Sequence, residues 1–586
     1  MGRGLSWLFV VLSMNLVAMS CGGGSDTAVP TAATQSVATA VSSPAPQATP
    51  GQTVVPPAPT AVTLRGTVFE NAGISRPQLE GIRYGGIYRN INTDNIATLD
   101  PKYFTGSQIA SATLYIADKM FRATPNDDDF YSTWKGDLAE SWSISDDLKT
   151  YTFKLRQGVK WHNVAPVNGR ELTVDDVLYN INRYKEDDSI VKPAYSQIES
   201  ATAPDKSTIV IKIKEPNAWL INDLWGNAEV MVAPELVKET GGRLGNNFVG
   251  TGPFILQEHT YRVKSVYVRN PDYWQKDKLG NRLPYIDTWI SYVILDPATR
   301  LASFRTGQTD TGASVADIPA LLKENPSYVV NISTPATSDG IAFNTKKAPW
   351  SDIRVRRAWN MAFDRQRVKA ALNQTSWVFN GPMPWVFVSD KALTYDDLGP
   401  DYKYDPEAAK KLLIEAGYPD GKFKTTGKLE FGQSYADRVV VYQAALKTNG
   451  IEFDLLPLDV PTYQVKWFFR TYEDLTLNHW IQYDWNLNWF ANYKFSKNGA
   501  QNPSFIDDPE VEKVIKSIKT TTDPAKQREY AKFLWDFDTR NSYSLWAGQQ
   551  QGYGIRNART KNLLNRVASG TTRQFVWLTD APRTTP

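Results

Sequence analysis

The sequence predicts an α/β protein of several domains, and three observations carry that expectation. Residues 150–155 (Thr-Tyr-Thr-Phe-Lys-Leu) and 208–214 (Thr-Ile-Val-Ile-Lys-Ile-Lys) alternate large apolar with polar side chains, the period of a strand with one buried face. Asp-Pro pairs at 405–406, 508–509 and 523–524 each open a run with apolar residues at helical spacing. The length of 586 residues exceeds what one core organises and suits three to four domains at ~150 residues each.

The amino-terminal 61 residues stand apart. Residues 1–20 read as an export signal, with Arg3 followed by an apolar stretch from Leu5 to Met19 that is too short for a membrane span. Ala18-Met19-Ser20-Cys21 resembles a bacterial lipobox, with Ala18 where Leu is usual, so Cys21 is the expected lipidation site. Cys21 is the only cysteine, which excludes an internal disulfide and a cysteine metal cluster. Residues 22–61 are dominated by Ala, Thr, Ser and Pro with Asp26 the only charge, so 21–61 is expected to be a disordered tether with a reach of about 35 Å. One lipid chain anchors only marginally, so stable anchoring implies more than one.

The folded part opens with a strand near Tyr84–Tyr88, a turn at Leu99-Asp100-Pro101 and a helix over Thr113–Phe121. Asp146-Asp147 is turn chemistry ahead of the 150–155 strand. Gln157-Gly158 can return the chain into a second short strand, Val159–Trp161, giving a hairpin. Thr173, three residues before Asp176, forms a capping-box start for a helix carrying Val177, Leu178 and Ile181. Farther on, Glu215-Pro216-Asn217 stops the 208–214 strand, Gly250–Phe254 is a glycine-proline turn, and Val263–Val268 is a strand. Residues 289–305 read as strand, Asp296 cap, Pro297 and helix. Arg354, Arg356 and Arg357 beside a helix start are expected to be solvated. The helix from Asp405-Pro406 to Gly417 has every start and stop signal.

Several of these blocks carry a resemblance. Leu138-Ala139-Glu140-Ser141-Trp142, then Tyr151 to His162, then Thr173-Val174-Asp175-Asp176-Val177 are similar in order and spacing to the signature of the family 5 extracellular solute-binding proteins, the oligopeptide- and dipeptide-binding receptors of ABC importers. A longer loop, Asn163–Gly169, replaces the family's short Asp-Gly turn and is expected to be a surface insertion. Gly250-Thr251-Gly252-Pro253-Phe254, Arg269-Asn270-Pro271-Asp272-Tyr273-Trp274, Asp352–Arg365, Asp405–Tyr418 and Val576-Trp577-Leu578 resemble later family elements. The resemblance implies a two-lobed periplasmic-binding-protein-like fold of class II, cluster C type, with an extra subdomain in the first lobe. Implied boundaries are lobe I at 62–121, 219–339 and 548–586, the extra subdomain at 122–218, and lobe II at 340–547. It also implies hinge closure on a ligand, docking on a membrane permease, and a monomer.

The candidate ligand wall is 478–505, where aliphatics nearly vanish and Trp480, Tyr483, Trp485, Trp489, Phe490 and Tyr493 alternate with amides. Rings supply area and amides supply orientation, whereas a core would have to satisfy every buried amide. In the family's peptide receptors an Asp of the corresponding region pairs with the ligand's amino terminus, and Asp484 is the nearest match, although the following Asp-Pro is missing. Asp484 could instead cap a turn, and Trp480 and Trp485 could belong to the lobe core.

Other chemistries find little support. The only histidines, His162, His259 and His479, are too scattered to bind a metal from one element, and His162 reads as a packed residue. Gly250 and Gly252 lack nucleotide-loop spacing and no Gly-Lys-Ser/Thr follows. A net charge of +3 is too slight to argue for nucleic acid or an anionic membrane. No cofactor, no metal and no catalytic constellation is expected; the many Asp and Glu residues single out no carboxylate pair for glycoside hydrolysis. The expected function is capture of peptides by an exported, lipid-anchored receptor. The alternatives are the same receptor for an oligosaccharide and, behind both, a secreted hydrolase.

Overall fold

The computed structural model describes residues 69–70, 79–92, 98–103, 113–126, 129–225, 230–312, 318–333, 337–372, 377–378, 381–389, 393–478, 480–481, 487–499, 502–550, 552–563 and 573–583. No helix among them is long and apolar enough to cross a membrane.

Two large cores organise the chain from residue 61 onward. The first is built around Tyr88, Phe153, Ile181, Trp225, Trp289 and Leu578. It carries a four-stranded sheet in the order Ile87–Asn92, Thr288–Val293, Lys264–Arg269, Phe254–Thr260, parallel in its first pair and antiparallel after it. Tyr115 stacks on Tyr267 at 4.6 Å and lies 4.8 Å from Trp289, so aromatic rings fill the space under this sheet.

The same core supports an antiparallel sheet in the order Ala139–Ile144, Thr150–Leu155, Thr208–Ile213, Ile198–Asp205. The alternation in Thr150–Leu155 buries Tyr151, Phe153 and Leu155, as its period requires. Its partners differ from the expected hairpin. Ala139–Ile144 takes one edge and Thr208–Ile213 the other, so Lys160 instead makes an isolated bridge with Glu171. Asn163–Gly169 does form a surface loop, from which only Val167 turns inward. The Thr173 capping box forms, with the Asp176 carboxylate accepting from the Thr173 N–H at 2.9 Å. Phe121 is not helical. It starts the strand Phe121–Asn126, because its ring packs edge-on against Trp142 and Phe153.

The second core is built around Ile341, Trp350, Trp359, Phe431, Leu475 and Leu545. Its mixed five-stranded sheet runs Ile451–Leu458, Phe423–Gly432, Leu475–Leu477, Gly340–Phe343, Ser544–Trp546. Phe423–Gly432 is parallel to both of its neighbours, so helices Ala436–Lys447 and Val460–Phe468 serve as the crossovers that parallel pairing demands. The Asp-Pro helices form as their local signals dictate, with Asp405, Asp508 and Asp523 each accepting first-turn N–H groups.

Arg356 overturns the solvated reading. It is 5% exposed, and its guanidinium donates to Trp350 O at 2.6 Å and to Asn541 O at 2.9 Å. It thereby satisfies carbonyls at the end of helix Pro524–Asn541. Arg354 stays at the surface, paired with Asp352, and half-buried Arg357 pairs with Asp401.

Candidate functional site

The chain passes twice between the two cores, and both passages are strands. The first runs Val329–Ser333, Thr337–Ser338, Gly340–Phe343. The second runs Ser544–Trp546, Gln549–Gln550, Gly552–Arg556. They pair antiparallel on both sides of the crossing, Val330 opposite Ile555 and Ile341 opposite Leu545. Gly340 is required at this close approach, because a Cβ there would sit 2.1 Å from Leu545 O. Two paired strands that carry the chain from one core to the other have the form of a hinge.

The predicted ligand wall meets this crossing. Trp480–Ile481 pairs antiparallel with Thr337–Ser338, placing Trp480 opposite Ser338. The next residue, Asp339, is buried and forms an ion pair with Arg438. Arg438 lies in the first turn of helix Ala436–Lys447, with its guanidinium 5.3 Å from the Tyr435 ring. Tyr435 in turn meets Tyr463 edge-on at 6.3 Å, and the Tyr463 hydroxyl donates to Leu477 O at 2.6 Å. Burial works against the Arg438 charge, but Asp339 and the nearby tyrosines outweigh it and hold the guanidinium above its usual value. About a third of that side chain stays exposed (31%), so it can also meet a solute. A cation, two phenol rings and a strand edge thus converge where the cores join.

Arg438 and Asp339 were not among the residues that sequence patterns pointed to. One signal was available: a cation in the first turn opposes the helix dipole, which favours acids there, so Arg438 must be held by something else. Of the residues singled out, Tyr483, Asp484 and Trp485 lie outside the described residues, as does His479. Trp480 is fixed by backbone register alone. Trp489 stacks on Tyr493 at 4.7 Å with 17° between ring planes, and it packs against the second core while Tyr493 remains partly exposed. Phe490 is fully buried.

His162 is a packed residue, as expected. Its Nε2–H donates to Gly252 O at 3.0 Å and its Nδ1 accepts from the Gly250 N–H at 3.3 Å. Burial pushes the imidazole down to about 4. Among the described residues no group of His, Cys, Asp or Glu side chains is arranged to hold a metal ion.

Comparison with known proteins places this geometry. A model of the bacterial extracellular solute-binding proteins, family 5 (middle region), matches residues 133–502. The chain is 32% identical over 306 residues to heme-binding protein A of Haemophilus influenzae, covering 48% of this chain and 54% of that protein. It is 31% identical over 330 residues to the glutathione-binding protein GsiB of Salmonella typhi, covering 56% of this chain and 61% of that protein. These matches span less than two thirds of the length of either relative. Among solved structures, the periplasmic binding protein DppA from Helicobacter pylori in complex with peptide STSA has a TM-score of 0.70 at 22% identity, covering 85% of this chain and 99% of that one. HbpA2 from Haemophilus parasuis has a TM-score of 0.69 at 22% identity, covering 84% of this chain and all of that one (100%). The fold is therefore the two-lobed α/β architecture of periplasmic binding proteins. With the family model matched over 133–502, the chain belongs to the bacterial extracellular solute-binding proteins, family 5.

Proposed function

We propose that this protein is the extracytoplasmic receptor of an ABC importer, that it encloses a short peptide between its two lobes, and that Cys21 carries the lipid that anchors it. The observation that supports this best is the double strand crossing with Arg438 and Asp339 beside Trp480. In this reading Arg438 takes the peptide's carboxylate, Asp484 pairs its amino terminus, and Trp480, Tyr483, Trp485 and Trp489 line the space between. Relatives named for glutathione binding and crystallised with a peptide support a peptide-like ligand. The closed protein then delivers its ligand to a membrane permease, acting as a monomer and without turnover.

Native mass spectrometry of the purified protein identifies any co-purified ligand. Isothermal titration with that peptide as free acid and as C-terminal amide then tests Arg438. Arg438→Lys keeps Asp339 paired but loses the planar fork. A charge-assisted hydrogen bond contributes about 1.5–3 kcal/mol, so the free acid is expected to lose about tenfold or more in affinity while the amide changes little. Equal losses for both would refute the carboxylate role. The Trp489–Tyr493 stack favours one second reading, an oligosaccharide ligand on the same fold. Asp484→Asn separates the two, because it weakens peptides with a free amine and leaves sugars unaffected. Cys21→Ala is expected to release the protein from membranes into the medium.

A further inference from the structure

A second contact joins the two cores, far in sequence from the strand crossing. The loop Asn217–Trp219 leads into helix Leu220–Trp225, whose residues Leu220, Leu224 and Trp225 belong to the first core. From this loop the Ala218 N–H donates to Lys519 O at 2.9 Å, and the Trp219 indole N–H donates to Ile518 O at 2.8 Å. Both acceptors are last-turn carbonyls of helix Pro509–Thr520, which buries Val511, Ile515 and Ile518 in the second core. The final carbonyls of a helix have no partner within it, so donors from the first lobe complete a helix of the second. The Trp219 ring itself packs against the second core.

The loop is held in shape from within. Asn217 Oδ1 accepts from the Trp219 N–H at 2.9 Å, and its Nδ2 donates to Asp223 Oδ2 at 2.8 Å and to Gln197 Oε1 at 2.7 Å. The half-buried Asp223 carboxylate also feels the nearby Asn488 side chain and Lys519. Asn488 is buried in helix Leu487–Phe490, and its Oδ1 accepts from Asn492 Nδ2 at 2.8 Å. That helix is part of the 478–505 wall. Asp223 therefore lies near the segment expected to face the ligand, with Asn488 next to Trp489 in the chain.

We propose that Asn217–Trp219 is an interlobe latch: Trp219 is a positioning residue that, in a loop shaped by Asn217 and Asp223, holds the lobes together through the end of helix Pro509–Thr520, without any contribution from ligand. The proposal rests on the reading of the protein as a closing receptor and adds to it. Closure has its own protein–protein component, so a closed population exists before ligand arrives.

The test uses the full chain with Cys21→Ser, so that introduced thiols are the only ones, stripped of bound solute by unfolding and refolding. Ala218→Cys with Lys519→Cys places a thiol pair across the latch, and disulfide formation in a glutathione buffer is followed by mass spectrometry. The bridge is expected to form without added ligand. Adding Trp219→Ala is expected to slow it about a hundredfold, the shift that losing one indole hydrogen bond and its ring burial implies, while thermal unfolding of each lobe stays unchanged. Trp219→Phe, which keeps a ring and loses the N–H, is expected to fall between. Small-angle scattering of Trp219→Ala with all natural residues elsewhere is expected to show a larger radius of gyration than the parent. Equal bridging rates with and without Trp219, or no expansion, would overturn the latch. None of these measurements uses ligand, so they stand if the peptide reading fails. If ligand-induced compaction persists in a protein whose latch variants change nothing, the receptor reading stands and the latch falls.

Discussion

His162 joins the Thr150–Leu155 region to the Gly250–Gly252 turn, and its protonation provides a direct test of that join. The folded imidazole has one orientation available: Nε2–H to Gly252 O and Nδ1 lone pair to the Gly250 N–H. Protonation at Nδ1 sets two donors against each other in a site that is 1% exposed. Burial lowers the imidazole from 6.5 to about 4. A depressed folded value means that the unfolded chain binds the proton first, so stability is intact above about 6.5 and falls as pH drops toward 4. A shift of that size corresponds to about 3 kcal/mol. Selective 15N-histidine labelling gives three signals to follow, and His162 is expected to keep a protonated Nε2 and a bare Nδ1 down to about pH 4.5. Hydrogen exchange at the His162 and Gly250 amides is expected to accelerate below pH 6 in the parent. In His162→Gln the same amides are expected to show a flat pH response over that window and less protection at pH 7. A His162 signal titrating near 6.5, or the same acid response in His162→Gln, would refute the reasoning.

Three further outcomes follow from buried geometry. Arg183 donates to both carboxylate oxygens of Asp100, at 2.9 and 2.6 Å, and both side chains are sealed from solvent; Asp100→Ala leaves a buried guanidinium unpaired and is expected to cost about 3–5 kcal/mol in urea unfolding. Gly340→Ala drives a methyl into Leu545 O, so a loss of about 3 kcal/mol is expected, with faster exchange of the Trp546 amide opposite. Arg356→Met strips the carbonyls of Asn541 and Ser542 of their donor; a cost of about 2–3 kcal/mol should appear as fraying of helix Pro524–Asn541 in exchange data, and an unchanged exchange pattern there would contradict the capping role.

What the sequence made legible was local. A carboxylate that caps a first turn acts within three residues, so Asp296, Asp405, Asp508 and Asp523 announced their helices unaided. Thr150–Leu155 showed its buried face by its period, but period says nothing about partners, and the neighbour chosen from proximity was wrong on both edges. Phe121 read as helix because helical spacing is a weak signal over nine residues, and packing against Trp142 and Phe153 decided otherwise. Arg356 read as surface because charge normally is, and only the fold brings four carbonyls to it. Of the candidate site, composition pointed to the segment of Trp480, whose strand pairs with Thr337–Ser338, while Asp339 and Arg438 meet across 99 residues, a separation that no local pattern spans.

The same distance problem explains why a latch escapes the sequence, since Trp219 and Ile518 are 299 residues apart. Its energetics also explain its form. Two hydrogen bonds contribute about 1 kcal/mol each net, and seating an indole adds about 2 kcal/mol; ordering the side chains on both faces removes about 1 kcal/mol for each one immobilised. Immobilising about four side chains offsets that gain, and interconverting states differ by only a few kcal/mol. The chemistry suits this balance. Last-turn carbonyls are hydrated when the lobes part and bonded to Ala218 and Trp219 when they meet, so neither state strands a buried acceptor. A buried ion pair in the same place would leave an uncompensated charge on opening, and a wide apolar face would hold the lobes shut. The buried pair that does exist near the crossing joins Asp339, between strands Thr337–Ser338 and Gly340–Phe343, to Arg438 in the first turn of helix Ala436–Lys447, so both partners lie at the entry to the second lobe.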